Sequence, residues 1–155
     1  MSFFPRIATQ MSETGLNLWD IQTLILKHLF HRRVATGREV AEHLCLPLPV
    51  IEPALAALQK DRMLEYRGNA GLGDFSYGML EEGVRQARQL LGASTYAGAA
   101  PVPLETYVES VAAQSLDTFH PTTDDLRRAL GELVIDPLLF GRLGQAMLAG
   151  RSMFL

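Results

Sequence analysis

One cysteine, Cys45, is the whole thiol inventory of this 155-residue chain. No disulfide can close within it, which suits a reducing, cytoplasmic setting. Aromatic residues make up 8% and charged residues 20%, against 48% hydrophobic, a balance that builds a buried core and argues against disorder. No apolar run approaches the roughly 18–20 residues of a membrane span. The segment from Met1 to Arg6 has neither the basic start nor the long apolar stretch of a secretory signal, so no membrane partner is expected. Absent as well is any G-x-x-x-x-G-K-[ST] run. Without it there is no backbone nest, lysine or Mg²⁺-binding hydroxyl for a triphosphate. The sequence offers no catalytic or cofactor-binding residue of its own.

A clear excess of positive charge is also missing. Net charge is −3, and residues 15–92 hold nine basic side chains and nine acidic ones. A nucleic-acid reader normally shows a basic excess, so nucleic acid is not the favoured partner.

What is present centres on Thr36 to Met79. Thr36-Gly37-Arg38-Glu39 is a capping box that opens a helix carrying Val40, Ala41 and Leu44 on one face. Cys45-Leu46-Pro47 breaks it. A second helical period follows with Ile51, Leu55 and Leu58, where the crowding of Pro47, Pro49 and Pro53 predicts an irregular first turn and regular helix only from about Pro53. Two extended runs, Met63–Arg67 and Phe75–Met79, flank a glycine-rich turn. Helix, turn, helix and hairpin in that order are a winged helix-turn-helix. The expected core is Leu24, Ile25, Val40, Leu44, Ile51, Leu55 and Leu58.

The flanks read as follows. Residues 1–14 form a flexible lead-in. Asn17 with Asp20 caps a helix running to about Phe30, and a helix over Glu81–Leu91 closes the winged domain (15–92) at Gly92. Residues 93–103, rich in small residues and proline, form a linker. In the segment 104–155, Leu104, Tyr107, Val108 and Val111 make a helical stripe. Thr122 and Asp125 cap a helix with Leu126, Leu130, Leu133 and Val134, and Asp136-Pro137 opens another that ends at Gly150. Ser152–Leu155 reads as a short apolar strand that frays, docks on these helices or pairs with a second copy of the chain. The fold class is mainly α with a small β-hairpin: a winged helix-turn-helix domain followed by a helical segment.

Several stretches resemble the amino-terminal region of a bacterial AAA+ ATPase family whose members begin with a winged-helix domain. These are Thr14-Gly15-Leu16, Leu26–Leu29, Leu46-Pro47, the connector Tyr96-Ala97-Gly98-Ala99-Ala100-Pro101-Val102-Pro103, Leu104–Val108, Leu143–Ala146 and Gly150–Leu155. The resemblance implies a fragment that stops before the phosphate-binding loop. It further implies that ATP and Mg²⁺ belong only to a longer protein, and that the winged domain is a regulatory or adaptor module controlling an attached motor.

For contacts, the basic positions Arg32, Arg33, Arg38 and Arg67 flank the first helix junction and the wing. They are the candidates for phosphate, nucleic acid or a phosphorylated ligand such as a signalling nucleotide. The second helix of the motif has little for a bidentate base contact. Its Pro49, Pro53, Ala54 and Ala57 instead suggest a face for a protein partner. A DNA-binding transcriptional regulator is the alternative reading. His28, His31, His43 and Cys45 fall short of the paired four-ligand pattern of structural zinc, so no metal is expected. The histidines read as surface or helix-end groups and Cys45 as a buried inert thiol.

Overall fold

The computed structural model describes residues 7–71, 73–115 and 122–149. It is mainly helical with one small antiparallel sheet. Two compact units divide between Tyr107 and Val108.

In the first unit, reciprocal caps start two helices as the sequence indicates. Asp20 donates its N–H to Asn17 Oδ1, and Asn17 its N–H to the Asp20 carboxylate, both at 3.0 Å. They open α1 (Leu18–Arg32), which continues past Phe30. Thr36 and Glu39 repeat the exchange at 3.2 and 2.7 Å to open α2 (Gly37–Leu44). The tight turn passes through Cys45 in the left-handed region at φ 54°, and its side chain is exposed rather than buried. Its thiol rests on the Glu42 carbonyl at 3.6 Å.

The next helix, α3, spans Leu48–Lys60 and is regular from its first residue, not from Pro53. Pro49 lies in the first turn, where no intrahelical N–H is needed, and Pro53 removes one bond further in. Val50, Ile51, Ala54, Leu55 and Leu58 are all buried along the inner face. Burying aliphatic side chains at about 1.5–3 kcal/mol each outweighs one missing bond worth about 0.5–1.5 kcal/mol.

The wing is β2 (Leu64–Gly71) and β3 (Asp74–Met79), with bulges between Tyr66 and Gly68 and between Asn69 and Gly71. A third strand, β1 (Val34–Thr36), pairs with β3 through Ala35 opposite Tyr77, giving the order β1-β3-β2. Three residues are too few to show a period of two, which is why the sequence displayed only the hairpin. Helix α4 (Glu81–Ala93) packs on α1. Gly92 lies within its last turn instead of capping it. All seven expected core residues are buried, the most exposed being Leu24 at 7%.

Of residues 93–103, expected as a linker, Ala93 ends α4, and the rest lie against the winged body and are tied to it. Buried Lys27 donates from Nζ to the carbonyls of Ser94 (2.7 Å) and Tyr96 (3.1 Å). Ala100 N–H donates to Leu44 O at 2.9 Å. A Cβ added at Gly15 would sit 2.8 Å from Pro103 Cγ, so proline and glycine are in close apposition. Of the lead-in, Met11–Glu13 form one 3₁₀ turn and Thr14 is buried.

Helix α5 (Leu104–Ala113) crosses the division between the units, and its stripe of Leu104, Tyr107, Val108 and Val111 is exposed. The second unit holds α6 (Thr123–Ala129) and α7 (Pro137–Leu148). Both expected caps form: Thr122 with Asp125, and Asp136 accepting from Leu138 and Leu139. Helix α6 stops before Leu130, so of its expected stripe Leu126 alone is buried and Val134 stands in solvent. Gly150 and Ser152–Leu155 lie outside the described residues. Among the described residues no single helix is long and apolar enough to cross a membrane.

Candidate functional site

Two surfaces of the winged unit concentrate polar and aromatic chemistry. The first is the outer side of α3 with the adjoining wing. Helical geometry turns Pro49, Glu52, Pro53, Ala56 and Lys60 outward. Ala54, expected on the partner face, is fully buried, and Ala57 is half-buried. The true outward alanine is Ala56, one helical step from the expected register. A shift of two residues along a helix turns a side chain to the opposite face.

Beside this face stands an aromatic cluster on the wing. Tyr66 meets Phe75 in a tilted pair at 4.6 Å between ring centroids and contacts Tyr77 at 5.4 Å. Tyr66 and Phe75 are exposed while Tyr77 is buried. Burial pushes the Tyr77 hydroxyl up to about 12, helped by Tyr66 and by the carboxylates of Asp74 and Glu52. Strand β2, which carries Tyr66, packs against α3.

Asp74 joins the wing to the helix-turn-helix. It is 4% exposed and accepts from three backbone donors: Gly37 N–H at 3.0 Å, Arg38 N–H at 3.1 Å and Phe75 N–H at 2.8 Å. The carboxylate thus sits at the positive end of the α2 dipole. Gly37 is required there, since a Cβ would lie 2.5 Å from Asp74 Oδ1.

The four candidate arginines do not converge. Arg67 bends back over the sheet, its Nε 2.6 Å from where a Gly78 Cβ would be, and pairs with Glu65 at 2.7 Å. Arg32 reaches Glu39 at 3.8 Å. Arg33 and Arg38 are exposed, and neither makes an ion pair among the described residues.

The second surface is an open cleft of about 630 Å³ between α1 and α2, lined by His28, His31, Arg32, Glu39, Glu42, His43 and Ala97. Of the four arginines it takes in Arg32 alone. His28 is not a surface group: it is 7% exposed and, among the described residues, its Nε2 has no hydrogen-bond partner. The ring stacks on His43 at 3.9 Å. Burial holds its pKa down at about 4, and His43, Arg32 and His31 act in the same direction while Glu39 opposes them. His43 Nε2 lies 2.5 Å from the Ala97 carbonyl. A carbonyl only accepts, so that nitrogen carries the proton. Histidines and glutamates share this cleft, yet among the described residues no three metal-ligating side chains are grouped to hold an ion. The pairing of His28 with His43 depends on how α1 crosses α2, which no spacing along the chain reveals.

No family model matches this chain, and no curated protein matches it either. Among solved structures it is similar to AbfR in its disulfide form, at 15% identity over 79% of this chain and 75% of that one, with a TM-score of 0.43. Reduced AbfR bound to DNA gives 19% identity over 68% and 74%, TM-score 0.44. A Lactococcus lactis ZitR mutant gives 20% identity over 83% of each chain, TM-score 0.44. At these values the likeness assigns no residue a role.

Proposed function

We propose that the winged unit is a regulatory or adaptor module. It docks a protein partner on the outer face of α3 and the adjoining wing. The docked connector relays that event to an attached ATPase module of the AAA+ type that the connector resembles. The observation that carries this reading is the composition of the outer α3 face: Pro49, Glu52, Pro53, Ala56 and Lys60, one acid and one base among small and apolar groups. Side chains that read base edges bidentately are arginine, lysine, asparagine and glutamine. Here Lys60, at the helix end, is exposed and its neighbour Gln59 is half-buried, and the rest of the face offers none. The exposed Tyr66–Phe75 pair has the amphipathic character of interface anchors. The connector, fixed at Lys27, His43 and Leu44, supports the relay.

A DNA-binding regulator is the second reading, favoured by the exposed and unpaired Arg33 and Arg38 beside the start of α2. One titration separates the two. Fluorescence anisotropy with duplex DNA at low salt is expected to show no binding. Binding whose log K falls linearly with log salt, by about 0.9 per phosphate contacted, and that weakens in Arg38→Ala, establishes the second reading and removes the first.

A further inference from the structure

Besides Lys27, a histidine side chain ties the connector to the winged body. His43 is on the exposed side of α2 and spends its Nε2 proton on the Ala97 carbonyl at 2.5 Å. Behind it, His28 fills a buried position on α1 where its Nε2 has no partner among the described residues. The two rings lie 3.9 Å apart with an interplanar angle of 29°. An aliphatic or aromatic side chain at position 28 would fill the same space without an orphaned nitrogen, whose burial carries a desolvation cost.

We propose that the His28–His43 stack is a proton-operated latch, which holds residues 97–103 on the winged body while His28 is neutral and loosens them when His28 is charged, Lys27 keeping its hold on Ser94 and Tyr96. A protonated His28 needs an acceptor at Nε2 and water around it, and the closed stack supplies neither. Opening the stack swings His43 away and breaks its bond to Ala97.

The groups facing His28 fix the sign. From α1 come His31 and Arg32, from α2 Glu39, Glu42 and His43, and from the connector the uncharged Ala97. Among the described residues α3, α4 and the sheet place no side chain in the cleft. His43, Arg32 and His31 oppose a proton on His28 and Glu39 favours it, so the balance keeps the latch closed at neutral pH. The docked state binds fewer protons than a freed one, in which His28 titrates near its ordinary value. Docking is therefore favoured most above pH 6.5 and weakens as pH falls from there toward about 4.

This inference concerns the regulation of the relay and not what α3 binds. The test reads the connector directly, so it can fail while partner docking stands. Amide hydrogen exchange, expressed as protection relative to the unstructured rate, is followed for Ala100, whose N–H donates to Leu44 O, and for Ile25 in the core. In the wild-type chain, lowering pH from 7 to 4 is expected to cut Ala100 protection on the order of tenfold or more while Ile25 stays protected. In His28→Phe, Ala100 protection is expected to stay flat. Unchanged Ala100 protection in the wild type, an equal loss in His28→Phe, or a parallel loss at Ile25 overturns the latch. Should His28→Phe fail to fold, the exposed His43→Phe carries the test. It removes the donor to Ala97, so Ala100 protection should already be low at pH 7. Wild-type protection in that variant overturns the proposal.

Discussion

Asp74 ties the wing to the helix-turn-helix with a single carboxylate. Three backbone N–H groups converge on it, and two of them, from Gly37 and Arg38, belong to the first turn of α2. In Asp74→Ala these donors stay buried and lose their partner, a cost of roughly 1–3 kcal/mol. Denaturant unfolding should show that loss, and an unshifted midpoint would remove Asp74 from this role. Nothing local points to this role: Asp74 reads as a turn residue, and Gly37 and Arg38 lie far away along the chain. Thr36 and Glu39 were legible because a capping box is a local pattern. Cys45 and His28 were misread for the same reason. Neither the exposure of a turn nor the crossing of two helices is written in nearest-neighbour spacing.

The elements followed hydrophobic period closely where burial was deep. Ile21, Ile25, Leu29, Val40, Leu44, Ile51, Leu55 and Leu58 are buried to 1% exposure or less, and those positions mark the inner faces of α1, α2 and α3. The prolines of α3 misplaced its start because packing of the inner face overrode local preference. Stripes without a partner were weaker guides: α6 ends before Leu130 although the apolar pattern continues. A contact between elements that the sequence could not display is Gly83 on α4. A Cβ there would lie 2.2 Å from the Met63 carbonyl, which also accepts from Leu80 N–H at 3.0 Å. Gly83→Ala must push α4 away from Met63, the residue just before β2, and overpacking of this kind costs about 1–3 kcal/mol. A lowered melting temperature is expected despite alanine's better helix propensity. A raised one would show that α4 is free to move.

At the scale of the whole molecule, the charge balance foreshadowed the surface. Equal numbers of acids and bases over residues 15–92 leave the outer face of α3 nearly neutral, with the wing aromatics beside it. The expected partner face survives at Pro49 and Pro53, loses Ala54 to the core and gains Ala56. The central claim is that this face meets protein. Its most direct test is a photo-crosslinking residue placed at Ala56 in the chain expressed in its own cells, with the adducts treated by protease or nuclease. The account predicts a discrete adduct that protease destroys and nuclease leaves intact, and that is lost when Tyr66→Ala and Phe75→Ala are combined. An adduct that nuclease destroys would contradict it and transfer the face to nucleic acid.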